Sequence, residues 1–210
     1  MTRGFFITLE GGEGAGKSTQ AARLAARIAA TGREVVCTRE PGGSVGAEAI
    51  RALLVAGEVR RWSATTETLL MYAARRDHIE RVIEPRLDGG AVVICDRYVD
   101  STRAYQGAAG GANVELIDSL ESHVVLQNVW PALTLILDLK PEKGLERAEA
   151  RDPIQSRFEV RNISFHRQLR AAFLEIARNQ PNRCVLIDAD QAEDAVAEAI
   201  WSAVSPRLAV

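Results

Sequence analysis

One stretch constrains this chain more than any other: Gly11 to Thr19, reading Gly-Gly-Glu-Gly-Ala-Gly-Lys-Ser-Thr. An apolar run, Phe5-Phe6-Ile7-Thr8-Leu9, precedes it and reads as a short buried strand. Gln20 to Ala30, rich in Ala, Leu and Arg, follows and reads as a helix closed by Thr31-Gly32. Strand, glycine loop, lysine, hydroxyl and helix in that order form a phosphate-binding loop. Glycines at 11, 14 and 16 reach backbone angles closed to other residues and let peptide N–H groups face an anion. The helix start adds its own free N–H groups and the positive end of its dipole. Lys17 brings a point charge to the β- and γ-phosphates, and Ser18 brings a hydroxyl for Mg²⁺.

The rest of the chain repeats the strand-then-helix rhythm. Apolar runs at Phe5–Glu10, Glu34–Thr38, Ala91–Asp96, Leu133–Leu139 and Arg183–Asp188 predict five strands. Near-continuous apolarity suits a parallel sheet covered on both faces. Helices are expected at Val45–Val55, Thr65–Leu87, Val114–Leu126, Pro141–Glu149, Ile163–Arg178 and Ala192–Val204. This alternation predicts an α/β fold: a five-stranded parallel sheet with helices on both faces. Residues 1–210 read as one domain, without repeats or linkers. Ligands in such folds sit at the carboxyl ends of strands, where the informative loops fall.

Lys and Arg number 26 against 28 Asp and Glu, so the net charge of −2 argues against nucleic acid as a partner. No apolar run approaches the roughly 20 residues that span a bilayer, and because Met1-Thr2-Arg3-Gly4 runs straight into the first strand no signal peptide is expected. Cys37, Cys95 and Cys184 form no C-x-x-C pair and are expected to be reduced core thiols of a cytoplasmic protein. His78, His123 and His166 lack metal-ligand spacing and are expected to be structural or surface residues.

Three further loops carry chemistry. The second strand runs into Thr38-Arg39-Glu40-Pro41-Gly42-Gly43. The third runs into Asp96-Arg97-Tyr98, followed by Ser101-Thr102-Arg103-Ala104-Tyr105-Gln106-Gly107. Between residues 147 and 161, arginines at 147, 151, 157 and 161 flank Pro153, which predicts a loop between two helices. Such a loop reads either as a solvated arginine face or as a lid that brings positive charge onto phosphates.

With these motifs in this order, the chain resembles the thymidylate kinase family nearly end to end. The resemblance rests on the phosphate loop at 11–18, T-R-E-P-G-G at 38–43, A-A-R at 73–75, D-R-Y at 96–98, S-x-x-A-Y-Q-G at 101–107 and P-x-L-T-L at 131–135. It implies a P-loop kinase fold with a short lid, and transfer of the γ-phosphoryl group of ATP to dTMP by a cytoplasmic homodimer that needs Mg²⁺. It implies an ATP site over Gly11, Gly12, Glu13, Gly14, Ala15, Gly16, Lys17, Ser18 and Thr19, with Ser18 and Asp96 on the metal. For dTMP it implies Glu13 at the sugar 3′-hydroxyl, Arg97 and Arg51 on the phosphate, and Glu40 nearby. It also implies Arg75 on a thymine carbonyl, Ser101, Thr102 and Gln106 around base and sugar, and Tyr105 crowding the 2′ position. Arg39 is expected to pair with Glu40 or Asp96. Lys17, Arg97 and a lid arginine are the implied catalytic groups.

Two departures from the family pattern stand out. Met71 occupies the position of the usual base-stacking phenylalanine, so either Met71 or Tyr72 would cover the base. The phosphate loop has Ala15 where one branch of the family carries its catalytic arginine; the resemblance then points to Arg151, with Arg157 second. Competing readings are a kinase for another nucleoside monophosphate and a P-loop switch protein. The switch would be expected to carry an N-K-x-D stretch, which this chain lacks.

Overall fold

The computed structural model describes residues 3–125, 127–151 and 158–208. Among these, five strands form one parallel sheet in the order β2-β3-β1-β4-β5: β1 (Phe5–Glu10), β2 (Val35–Arg39), β3 (Val92–Asp96), β4 (Leu133–Asp138) and β5 (Cys184–Asp188). The apolar runs are continuous because both faces are covered. Ile7, Leu9, Val92 and Ile94 pack on one side against Leu24 and Ile28 of α1 (Lys17–Ala29) and Ile200 of α9 (Glu193–Leu208). Phe6, Val93 and Cys95 face the other side, against Tyr72 of α3 (Ala64–His78) and Ile117 of α6 (Val114–Val124). Ile136 meets Phe165, Leu169 and Phe173 of α8 (Ile163–Asn179) on that same side.

Register places the chemistry. Leu9 and Arg39 both lie opposite Asp96, so β1, β2 and β3 end level with one another. The Glu40 N–H donates to the Asp96 carbonyl at 3.0 Å, and the Arg97 N–H to the Leu9 carbonyl at 2.9 Å. Three loops far apart in sequence therefore leave the sheet at one point, as expected for a doubly wound sheet.

Four sequence expectations are corrected. The helix expected over 65–87 is α3, a π-helical turn at Ile79–Ile83 and α4 (Glu84–Asp88). Pro85, which lacks an N–H, opens α4 just beyond the widened turn. The stretch after Asp96-Arg97-Tyr98 is not an open loop but α5 (Val99–Thr102) and a second π-helical turn, Arg103–Ala108. The last helix runs past Val204 to Leu208. Cys95 and Cys184 are buried thiols, but Cys37 is exposed because β2 is an edge strand with only partial cover.

Candidate active site

The phosphate loop is built by left-handed glycines. Gly14 has φ 65° and Gly16, which caps α1, has φ 84°; a side chain is strained at either position. Lys17 folds back over the loop, its Nζ donating to the carbonyls of Gly12 at 2.7 Å and Gly11 at 3.2 Å. Burial, then the nearby Arg97 charge, push Lys17 down to about 8. A bound phosphate would put an anion in direct contact with this buried ammonium, whose hydrogen bonds go to backbone carbonyls.

Opposite the loop stands Arg97, itself left-handed at φ 72°, a conformation that is costly for a side-chain-bearing residue. Its position is determined from every side. Nη1 donates to the Gly11 carbonyl at 2.9 Å and to Ser101 Oγ at 3.3 Å, and Nη2 donates to Glu13 Oε2 at 3.1 Å. The guanidinium also lies 4.7 Å from the Tyr105 ring centre. Beneath it, fully buried Glu10 accepts from Tyr98 N–H at 2.8 Å, Ser101 N–H at 3.3 Å and Ser101 Oγ at 2.6 Å, which ties the start of α5 to β1. Burial and then the Asp100 charge push Glu10 up to about 7. Glu13 moves the other way. Its burial is outweighed by Arg97, Lys17 and a 2.6 Å hydrogen bond from the Tyr105 hydroxyl, which bring it down to about 2.

A second buried network hangs from α3. Arg75 donates through Nε to Glu40 Oε2 at 2.7 Å, and through Nη2 to the Tyr98 carbonyl at 3.0 Å and Thr102 Oγ1 at 3.1 Å. Glu40 Oε1 is held 3.0 Å from His78 Nδ1, and His78 Nε2 lies 2.7 Å from Thr38 Oγ1. Gln106 donates from Nε2 to Glu67 Oε1 at 2.7 Å. Two polar atoms are then left over, buried and without a partner: Arg75 Nη1, a donor, and Gln106 Oε1, an acceptor. Buried groups of this kind are rare unless water or a ligand completes them.

These walls enclose a cleft of about 600 Å³. Glu13, Lys17, Ser18, Asp96 and Arg97 line one part of it, and Glu40, Arg51, Met71, Arg75, Thr102 and Gln106 another. Ser101, Tyr105, Gly14, Gly16 and Thr19 also reach the cleft, while Gly11, Gly12 and Ala15 form the back of the loop and do not. Met71 is half-buried on the wall, whereas Tyr72 is locked in the core and does not face the cleft. Arg51 donates to the Pro41 carbonyl at 2.6 Å. Arg39 pairs with Glu48 of α2 (Val45–Val55) at 3.2 Å, not with Glu40 or Asp96, because Arg75 and His78 already occupy Glu40. Arg151 is the last residue of α7 (Pro141–Arg151); its side chain, and Arg157 entirely, lie outside the described residues.

The donor set suits Mg²⁺. Ser18 Oγ donates to Asp96 Oδ2 at 2.5 Å, and Asp96 Oδ1 is buried without a partner. Both are hard oxygen ligands, and among the described residues no cluster of three or more His, Cys, Asp or Glu could hold a metal by itself. One or two protein oxygens completed by phosphates and water is the usual Mg²⁺ arrangement.

Residues 9–200 match the family model described as thymidylate kinase. The chain belongs to the thymidylate kinase family. A thymidylate kinase of Caulobacter vibrioides is 64% identical over 208 residues, covering 99% of each chain. One of Jannaschia sp. is 51% identical over 204 residues, covering 97% of each. The crystal structure of thymidylate kinase from Ehrlichia chaffeensis superposes with a TM-score of 0.77 at 33% identity, over 96% of this chain and 99% of that one. The thymidylate kinase motifs contain neither Glu10 nor Glu67, and His78, expected to be a structural or surface residue, is buried and holds Glu40. Glu67 and His78 carry a signal in their spacing from Met71 and Arg75, which puts all four on one helix face.

Proposed function

We propose that this chain transfers the γ-phosphoryl group of ATP to dTMP, giving ADP and dTDP, one phosphoryl step short of dTTP. The observation that carries the reading is the pairing, in one cleft, of a phosphate loop with the unmet donor Arg75 Nη1 and acceptor Gln106 Oε1. Thymine presents the complementary edge, an O4 acceptor beside an N3–H donor. The Gly14, Gly16, Lys17 and Ser18 backbone receives the ATP phosphates, and the Lys17 ammonium turns from Gly11 and Gly12 onto the β- and γ-oxygens. Arg97 and Arg51 receive the dTMP phosphate; Arg97 exchanges part of its contact with Glu13 for it. Glu13 retains lone pairs for the sugar 3′-hydroxyl. The acceptor is a phosphate whose second pKa is about 6, so its oxygen is already anionic and no general base is required. Rate then comes from alignment and charge neutralisation.

Ser18 and Asp96 would hold Mg²⁺, which would supply positive charge against the phosphates of ATP. Arg151, at the end of α7, is placed by the reading as the arginine that closes on the transferring group. Adenine would lie along the outer side of α7, where Arg147 donates to the Ala189 carbonyl at 3.2 Å. Residues 1–210 form one domain with a lid at 147–161, of which residues 152–157 lie outside the described residues. The enzyme is proposed as a cytoplasmic homodimer joined through α3, whose Leu69 is exposed; light scattering of the purified chain tests the dimer. No described helix is long and apolar enough to cross a membrane.

A coupled ADP-release assay with dTMP, dUMP, dGMP, CMP and AMP tests the function. The expected result is the highest kcat/KM with dTMP. Faster turnover of a purine monophosphate, or ATP binding without transfer to any of them, would overturn it.

A further inference from the structure

We infer that Glu67 sets the base selectivity of the cleft by fixing which end of the Gln106 amide faces the ligand. The inference rests on the reading of the cleft as a dTMP site. Glu67 lies on α3, eight residues before Arg75, and is 5% exposed; Gln106, on the π-helical turn Arg103–Ala108, is 1% exposed. The two meet through Gln106 Nε2 and Glu67 Oε1 at 2.7 Å. A carboxylate offers only acceptors, so the amide must turn its NH₂ end to Glu67 and its oxygen away. That oxygen is the buried Oε1 that has no partner. An unmet buried acceptor is unfavourable until a donor reaches it, so the amide is primed for a ring N–H.

The consequence is a preference among pyrimidines. Thymine and uracil both carry N3–H beside O4, which matches Gln106 Oε1 and the unmet Arg75 Nη1. Cytosine carries a bare N3 beside an NH₂ group, so both contacts become donor-to-donor or acceptor-to-acceptor clashes. Rejection by unpaired buried polar groups is far stronger than rejection by shape alone. Without the Glu67 carboxylate, Gln106 can rotate and offer Nε2 to a cytosine N3. Arg75, held by Glu40, Tyr98 and Thr102, cannot make the matching change. Half of the discrimination then collapses and half survives. Glu67 is a positioning residue, acting through Gln106.

The test compares kcat/KM for dTMP, dUMP and dCMP in the wild-type chain, in Glu67→Gln, in Gln106→Leu and in the double variant. Glu67→Gln keeps the side-chain shape but allows either amide orientation. The expected result is a fall of about tenfold or more in the dTMP:dCMP ratio, an unchanged dTMP:dUMP ratio, and no further fall when Glu67→Gln is added to Gln106→Leu. General damage to the cleft would move the dUMP ratio or kcat as well. Should circular dichroism show Glu67→Gln unfolded, Glu67→Asp, which withdraws the carboxylate by one methylene, serves in its place with the same expectation. A wild-type chain that prefers dTMP over dCMP, with a ratio untouched in the Glu67 variant, overturns the inference and leaves the function standing. A wild-type chain with no preference for dTMP overturns both.

Discussion

The Tyr105 hydroxyl and the Tyr105 ring act on different partners, and substitution separates them. The hydroxyl donates to Glu13 at 2.6 Å, while the ring lies under Arg97 and edge-on to Phe158 at 5.8 Å and Phe165 at 6.2 Å. Tyr105→Phe removes one hydrogen bond to a charged acceptor, worth roughly 1.5–3 kcal/mol. It should raise the KM for dTMP about tenfold while keeping discrimination against ribo-TMP, because the ring stays. Tyr105→Ala should lose that discrimination; steady-state turnover of both nucleotides checks it, and a preserved ratio in the alanine variant removes the ring from sugar selection. Glu40 carries a different risk. Its pair with Arg75 is buried, with side chains 4% and 2% exposed. Glu40→Gln leaves a buried guanidinium without its counter-charge, an expected loss of roughly 3–5 kcal/mol in urea unfolding. A loss below about 1 kcal/mol would mean that Tyr98 and Thr102 suffice. At this scale motifs revealed Met71 and Arg75 but not Glu67 or His78. The partners of the latter two, Gln106 and Glu40, come from other loops, and a side chain's meaning there depends on a fold that spacing alone does not supply.

At the scale of elements, α7 and the phosphate loop touch backbone to backbone. A Cβ on Gly14 would lie 1.9 Å from the Gly144 carbonyl oxygen, and one on Gly144 would lie 2.4 Å from that of Glu13. Only two glycines allow α7 this close. Within a helix, Gly→Ala alone should stabilise by roughly 0.5–1 kcal/mol. Gly144→Ala should instead lower the melting temperature and reduce kcat about tenfold or more, since a shift of about 1 Å at a phosphoryl-transfer site is costly. Raised stability with full kcat would show that the contact is slack. Arg151 ends the same helix, and Arg151→Ala should lower kcat on the order of 10³-fold with dTMP affinity little changed; single-turnover kinetics separate the two. The strands were legible because a sheet buried on both faces needs uninterrupted apolar runs. α5 was not, because four residues are too short for periodicity to register. Its position comes from Glu10, a long-range contact.

For the whole molecule, packing three loops onto the carboxyl end of the sheet concentrates buried charge beneath the cleft, and stability must depend on pH accordingly. Glu10 and Glu13 act in opposite directions. Glu13, held at about 2 against an ordinary 4.5, adds stability above pH 4.5 that is lost as pH falls towards 2. Glu10, raised from 4.5 to about 7, binds its proton more tightly in the folded chain than in the unfolded one. Its contribution is complete below pH 4.5 and disappears as pH rises through 7. At about 1.4 kcal/mol per pH unit, the Glu10 loss has a ceiling of roughly 3 kcal/mol. The ligand-free chain should therefore melt at a higher temperature at pH 5 than at pH 7.5. Glu10→Gln should flatten that slope, because an amide can still accept from the Tyr98 N–H and turn its NH₂ to Ser101 Oγ without titrating. Calorimetry of both chains across this range is the measurement, and an undiminished slope in the variant would locate the titration elsewhere. The arrangement has a functional logic. Burial raises the Glu10 pKa, which lessens near neutral pH a negative charge lying beneath Arg97, the arginine proposed to receive a phosphate. Full ionisation would compete with that phosphate for Arg97, so the KM for dTMP in the wild-type chain should rise above pH 7, and in Glu10→Gln that rise should be absent.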